Sequence, residues 1–489
     1  MNYLGIDIGT SGTKAVCFNE LGQVLASASS EYEIISKNAL YAEQRPLDWW
    51  NATKKVISKI TKSGLTISGI GLSGQMHGLV LLDEEDNILR DSIIWCDNRA
   101  VKQTKELKDK LGAVVKKYTG NEPVSSFTLA KLLWVKQNEP HIFAKISKIM
   151  LPKDYIRYCL TKQFKTEYSD ASGMQLLDIQ NKCYAKEILD FLDIQKEMLP
   201  ELIESVDISG KVLEEVSKSL KLPANCFVVG GAGDQAAAAL GSGILKKGDV
   251  SIVLGSSGVV FSPILKEDLK NNTLQVFMHA VPNTYHIMGV TNGCGLSYKW
   301  WKEQIAVKSY DVLNDDASNV PPLAHGIMYL PYLNGERTPI MDPYASGTWI
   351  GIRQNTTIKD MTRALLEGVA YSLKDCFTLL PKNQYSISIS GGGAKSLLWR
   401  TIISSTLQAP VRRIKQSEGG ALGVAMLAMV ANKEYASIED AVHAIIETED
   451  IVQPNLVWQH AYENGFMLYK EAYNSLKKYY QMAYEKGGK

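Results

Sequence analysis

Two stretches in opposite halves of the chain share one design. Tyr3–Phe18 and Val250–Phe261 each read as an apolar run, a turn of glycine and hydroxyl residues, and a second apolar run. That pattern predicts a β-hairpin in each place. The first turn is Gly9-Thr10-Ser11-Gly12-Thr13-Lys14, and the second is Gly255-Ser256-Ser257-Gly258. A chain of 489 residues is too long for one ordinary core. The repetition therefore predicts two α/β domains by internal duplication, each offering one hairpin to a common cleft. The boundary is expected at residues 1–243 and 244–489, with Gly241-Ser242-Gly243 near the hinge. An ordinary tight hairpin at Gly255–Gly258 is the plainer alternative.

The turns suggest phosphate chemistry. Gly9–Lys14 offers bare backbone N–H groups, the hydroxyls of Thr10, Ser11 and Thr13, and the Lys14 cation, a cradle for phosphate oxygens. Asp7 enters that turn from inside an apolar strand, where an unpaired charge is costly. It is well placed to hold Mg²⁺, directly or through water. No G-x-x-x-x-G-K-[ST] occurs, so a P-loop NTPase is excluded.

The second centre of chemistry is Val229–Gly241. Cys226–Val229 is a short apolar run, followed by Gly230-Gly231-Ala232-Gly233, then Asp234, Gln235 and four alanines. This reads as buried strand, glycine turn and helix start. The orphan N–H groups of a first helical turn favour an ionised Asp234, as a general base for a hydroxyl group requires. Asp234 reads equally as a simple helix cap. A dinucleotide fingerprint at Gly231-x-Gly233-x-x-Ala236 is discounted, because it would set Asp234 against the pyrophosphate.

Other segments supply the walls of a cleft. Asp48 is expected to cap a helix over Trp50–Lys62. Ser73–Gly78 lies between two strands and carries Met76 and His77 at a strand end, the usual place for ligand contacts. A surface loop is the alternative for His77. Ile93–Arg99 ends an apolar run in a polar cluster containing Asn98. Lys102–Lys117 reads as a solvated helix, and Thr128 lies near the start of another. Leu151–Ile156 and the polar turn Ser169–Met174 show little chemistry of their own. Tyr329–Pro339 is dense in turn formers and is expected to close over or brace the cleft, with a purely structural role as the equal alternative. Gly391, Gly392 and Gly393, with Ser396 after them, follow a strand and open a helix, a place where a flat nucleobase can approach backbone closely. Trp458–Tyr484 is a packing helix.

Composition narrows the class. A net charge of +1 with scattered Lys and Arg gives no electrostatic footprint for nucleic acid or membrane. The seven cysteines form no C-x-x-C pair and read as reduced thiols. No apolar run reaches a membrane span, and the first residues enter a strand pattern without a basic, apolar signal. A cytoplasmic protein is expected.

Taken together, these motifs resemble the FGGY carbohydrate kinases of the actin-like ATPase superfold. The resemblance runs from about Tyr3 to Ala431. It includes two signature segments, Thr128-Leu-Ala-Lys131-Leu-Leu-Trp134-Val and Gly347-Thr-Trp-Ile-Gly351 continuing to Leu366-Glu367-Gly368. It implies two actin-like (ribonuclease H-like) α/β domains with an interdomain cleft. Gln75–Gly78, Pro152–Tyr155 and Gly335–Pro339 are most similar to the branch of the family acting on D-xylulose. By that resemblance Asp234 is the catalytic base, Asp7 and Asp234 share the metal, and Met76, His77, Gln235 and Asn98 bind the sugar. ATP is the phosphoryl donor, held by Thr10, Ser11, Thr13, Lys14, Gly255, Ser256, Ser257, the Gly391–Gly393 run and Ser396, with Mg²⁺ as cofactor. Gln235 departs from the Asn of some relatives. A homodimer follows from the family's habit alone.

Overall fold

The computed structural model describes residues 1–271, 274–381, 384–416 and 418–486. It is a mixed α/β structure with two sheet-containing domains. The first sheet comprises β1 (Asn2–Ile8), β2 (Gly12–Asn19), β3 (Val24–Glu31), β4 (Gly69–Gly74), β5 (Ile208–Lys211), β6 (Phe227–Val229) and the short β7 (Ala232–Gly233). Their spatial order is β5-β6-β4-β1-β2-β3, with β7 also paired to β4. The second comprises β8 (Asp249–Leu254), β9 (Gly258–Ile264), β10 (Gln275–Met278), β11 (Tyr285–Thr291), β12 (Ser386–Ser390), β13 (Val411–Ile414) and β14 (Thr448–Val452). It is ordered β10-β11-β9-β8-β12-β13-β14.

The two sheets repeat one plan. In each, an antiparallel trio (β1, β2, β3 and β8, β9, β11) continues into two parallel strands (β4, β6 and β12, β13). An antiparallel strand closes the far edge. The two glycine-hydroxyl turns occupy the same position in that plan, between the first and second strands. Central strands of such sheets are covered on both faces, and β1 and β4 are accordingly apolar or small throughout.

What covers one face of the first sheet comes from the far end of the chain. Helix α5 (Gly419–Ala431) is almost uniformly apolar and lies on β1 and β4 beside α1 (Asp234–Leu240). A Cβ on Gly5 would stand 1.9 Å from the Ala421 carbonyl oxygen, and one on Gly71 1.9 Å from that of Val424. Backbone packs directly on backbone there, which only glycine permits. The other helices used below are α2 (Gly295–Trp300), α3 (Ile358–Phe377), α4 (Leu397–Leu407) and α6 (Leu456–Lys486).

Local expectations are met with two differences. Ser169–Met174, expected as a polar turn, is helical (Tyr168–Ala171 and Ser172–Met174), because Glu167 caps it by accepting from the Ser169 and Asp170 N–H groups. The helix expected over Trp50–Lys62 starts four residues earlier, at Pro46, and Asp48 sits in its first turn. Proline pre-sets the helical φ at a first position, so it opens the helix without a side-chain cap. Thr128 begins its helix as expected. All seven cysteines are free thiols, and no described helix is long and apolar enough to cross a membrane.

Candidate active site

Three parallel neighbours end together. In the register of the first sheet Asp7 pairs with Ser73 and Ile8 with Gly74, while Ala232 pairs with Ser73 and Gly233 with Gly74. Asp7, the Ser73–Gly78 loop and Asp234 therefore emerge at one edge, outside the carboxyl ends of adjacent strands, where α/β sheets hold ligands. The Ser73 hydroxyl donates to Asp7 Oδ1 at 2.9 Å. Burial raises the Asp7 pKa, against the Ser73 hydrogen bond and the Lys14 charge.

Asp234 is the first residue of α1. The helix N-terminus was expected to keep it ionised, but burial and the Asp7 charge push its pKa up to about 7, against hydrogen bonds from Gln235. Desolvation outweighs the partial charge of a seven-residue helix. A carboxyl that exchanges its proton near neutrality beside a second carboxylate has the acid–base character of a general base.

Met76 and His77 are held from three sides. His77 has φ 66° and stacks on Phe127 with ring centroids 4.1 Å apart. Its Nδ1 lies 2.8 Å from the Gly173 carbonyl oxygen. A carbonyl can only accept, so Nδ1 carries the proton and Nε2 is left as an acceptor. Burial and the Lys131 cation push the ring down to about 3, which keeps it neutral. Lys131 is fully buried and donates to the His77 carbonyl at 2.7 Å, joined by the Thr128 hydroxyl at 3.2 Å. Met76 packs with Phe127 from the first half and Phe277, Met288 and Val290 from the second, so the floor of the site joins both sheets.

The remaining expected residues divide. Gln235 hydrogen-bonds Asp234 itself. Asn98 is exposed, its amide donating to the Cys96 carbonyl at 3.3 Å. In the first turn, Thr10 accepts from the Trp95 indole at 2.8 Å and Ser11 is exposed. Thr13 is buried beneath the turn, 3.4 Å from the Tyr32 hydroxyl, so its side chain braces the hairpin. Lys14 is ion-paired with Glu418 just before α5.

The second turn borders a separate hollow. Gly255 and Ser256 accept backbone hydrogen bonds from Gly295 and Leu296 at the start of α2, at 2.8 and 3.0 Å. Ser257 is the third residue of that turn. Gly255, Ser256, Gly392, Gly393 and Ser396 line a cavity of ≈ 480 Å³, with Tyr298 and Trp399 as aromatic walls. Gly391 leads into it with φ 89°. Ser396 caps α4 and also donates to Asn314 Oδ1 at 3.1 Å, which accepts the Tyr298 hydroxyl at the same distance. A flat ring between aromatic walls and hydrogen-bonding amides suits a nucleobase. A wider, largely apolar cavity of ≈ 780 Å³ lies against α3 and α6 and contains none of the expected residues.

Two groups were missed in sequence. Lys131 stood only as part of a signature, since its contact is to a carbonyl distant in sequence. The other is a buried charge cluster: Lys153 Nζ lies 3.1, 3.2 and 3.5 Å from Asp154, Glu167 and Asp170. Arg157 pairs with Asp154 at 2.6 Å and also donates to the Gly230 carbonyl, while Ser169 Oγ accepts from Gly233 N–H at 3.0 Å. These residues brace the glycine turn that delivers Asp234. Seven charged side chains in Leu151–Asp170, five of them in this cluster, were the available signal.

Comparisons with known proteins agree with this arrangement. The FGGY family of carbohydrate kinases, N-terminal domain, matches residues 2–241, and its C-terminal domain matches residues 250–432. A xylulose kinase of Staphylococcus epidermidis is 35% identical over 483 residues, covering 97% of each chain. Among solved structures, a xyloylose kinase from Brucella ovis superposes with TM-score 0.92 at 32% identity, covering 98% of this chain and 100% of that one. A gluconate kinase from Lactobacillus acidophilus gives the same TM-score at 26% identity, covering 98% and 99%. The chain belongs to the FGGY family of carbohydrate kinases.

Proposed function

We propose that the protein is an ATP-dependent xylulose kinase, transferring the γ-phosphoryl group of ATP to the 5-hydroxyl of D-xylulose. The observation that carries this is the pairing of Asp234, with a pKa near 7, and Asp7 beside a loop bearing Met76 and a neutral His77. Asp234 accepts the hydroxyl proton as the new oxygen–phosphorus bond forms and the bond to the leaving ADP breaks. Nε2 of His77 accepts from a sugar hydroxyl, and Met76 packs on the carbon skeleton. Gln235 orients Asp234, and Asn98 lies at the margin. The N–H groups of Thr10 and Ser11 and of Gly255–Ser257 face the phosphates (Gly9 N–H closes the turn on the Gly12 carbonyl at 3.0 Å), while Gly391–Gly393 and Ser396 meet the nucleoside. Positioning and charge stabilisation supply most of such catalysis.

Asp7 and Asp234 also fit Mg²⁺. Their mutual repulsion raises the Asp234 pKa, and a divalent cation between them would relieve it. No group of three or more His, Cys, Asp or Glu side chains fit to hold a metal occurs among the described residues. Mg²⁺ is commonly held by one or two carboxylates with phosphate and water oxygens, so these two carboxylates would suffice. Bound there it would neutralise charge on the phosphoryl group. The functional division is placed at 243/244, with lobes closing about Gly241–Gly243 on sugar binding, and the enzyme is taken as a homodimer.

Turnover of D-xylulose, D-ribulose, glycerol and gluconate with ATP tests the reading. D-Xylulose is the expected substrate; turnover of gluconate alone would establish the second reading, for which a gluconate kinase and a xylulose kinase from Lactobacillus acidophilus match equally well.

A further inference from the structure

One edge of the second sheet is finished by side chains from the first half of the chain. β10 is the outermost strand there and pairs with β11 on one side only. The outward N–H groups of such a strand belong to alternate residues, here Val276 and Met278, and once buried they must find partners elsewhere. Asn121 takes both backbone groups of Val276: Oδ1 accepts the N–H at 2.8 Å, and Nδ2 donates to the carbonyl at 2.7 Å. Ser172 Oγ accepts the Met278 N–H at 3.1 Å. Both side chains are buried.

The Ser172 tie continues into the site. Its hydroxyl donates to the Ser169 carbonyl at 2.8 Å, and Ser169 Oγ accepts the N–H of Gly233, the residue before Asp234, at 3.0 Å. The next residue along, Gly173, supplies the carbonyl that fixes the His77 ring. A Cβ on Gly173 would stand 2.6 Å from His77 Nδ1, so backbone and ring meet without room for a side chain. Phe277, beside Met278, has its ring centroid 5.8 Å from that of His77. The five residues Ser169–Gly173 thus hydrogen-bond the edge of one sheet, the turn that delivers the base, and the histidine of the sugar loop.

We propose that Ser172 is a positioning residue for phosphoryl transfer. It keys the sheet that bears the Gly255–Ser257 turn to the Gly233–Asp234 junction and to His77, so that ATP and sugar are held in one relative placement. This rests on the kinase reading. Ser172 touches neither ligand, because it is buried and its hydroxyl is engaged with Met278 and Ser169. Its loss therefore acts on the alignment of the two bound reactants and not on the affinity of either. Alignment is the sensitive quantity, since a misplacement of about 1 Å costs on the order of 10²-fold in rate.

The wild type is first assayed with the four-substrate panel; no turnover of any of them would refute the kinase reading, and the proposal with it, whatever the variants do. With the accepted sugar, Ser172→Ala and Ser169→Ala are then compared with wild type by kcat and KM and by calorimetric binding of the sugar alone and of ATP alone. Ser172→Ala is expected to lower kcat about tenfold or more while each ligand alone binds within about twofold of wild type. Ser169→Ala breaks the next link without touching β10 and should lower kcat comparably, which keeps the test valid if the Ser172 variant does not fold. A folded variant whose kcat is unchanged, however far its melting temperature falls, overturns the proposal. So does sugar binding weakened as much as kcat, which would make the segment a wall of the sugar pocket alone.

Discussion

Replacing Asp234 by Asn should damage catalysis and stabilise the protein, and both effects can be sized. A carboxyl moved from its ordinary 3.8 to about 7 is hard to ionise in the folded state. Below pH 4 both folded and unfolded forms are protonated and the group costs nothing. As pH rises from 4 to 7 the unfolded chain gives up the proton first, so folding stability falls, and the full penalty applies above 7. That penalty is about 4 kcal/mol at most. In buffer free of divalent cations, Asp234→Asn should therefore melt higher than wild type at pH 8 and nearly level with it at pH 4. The same pKa sets the activity profile. About a tenth of the base is ionised at pH 6 and about nine-tenths at pH 8, so kcat/KM should rise about tenfold between them. Asn cannot accept the proton, and kcat should drop by roughly two or more orders of magnitude. An Asn variant that melts no higher at pH 8, together with a flat wild-type profile, would refute the assignment of a buried, half-protonated base.

Three further perturbations probe the supports of the site. Lys131→Met leaves the His77 carbonyl with only the longer hydrogen bond from Thr128; KM for the sugar should rise several-fold with KM for ATP unchanged, and denaturant melts should show a loss of about 1–3 kcal/mol. Asn314→Leu removes the acceptor shared by Tyr298 and Ser396. Calorimetry should show weakened ATP binding and unaltered sugar binding. Gly423→Ala places a Cβ 2.0 Å from the Ala237 carbonyl oxygen where α5 crosses α1. Overpacking of this kind costs about 1–3 kcal/mol or more and should lower the melting temperature without changing the pH dependence of activity.

The parts of the molecule legible in sequence are those fixed by neighbours along the chain. Alternation of apolar and turn residues locates both hairpins, and the glycine run before Asp234 announces a strand-to-helix turn. The misjudged features depend on distant partners. The helix N-terminus argues for an ionised Asp234, but the Asp7 charge arrives from a strand more than two hundred residues away and burial exceeds the dipole. Thr13 looks like a phosphate ligand until Tyr32 is seen beneath it. Lys153 and Asp170 read as ordinary helix and turn residues, because their charges meet only after β4 and β7 are paired. Gly5 and Gly71 look merely small until a helix from the opposite end of the chain lies on them.

That last contact bears on how the polypeptide can be divided. A fragment ending at Gly243 would possess every strand of the first sheet yet leave bare the face normally roofed by Ala421–Met429. Severed at the apparent seam, the front piece would be sticky and the rear piece would carry a stray greasy helix. Co-expressed, the two should find each other and reconstitute activity, because the crossing of α1 and α5 staples the halves backbone to backbone.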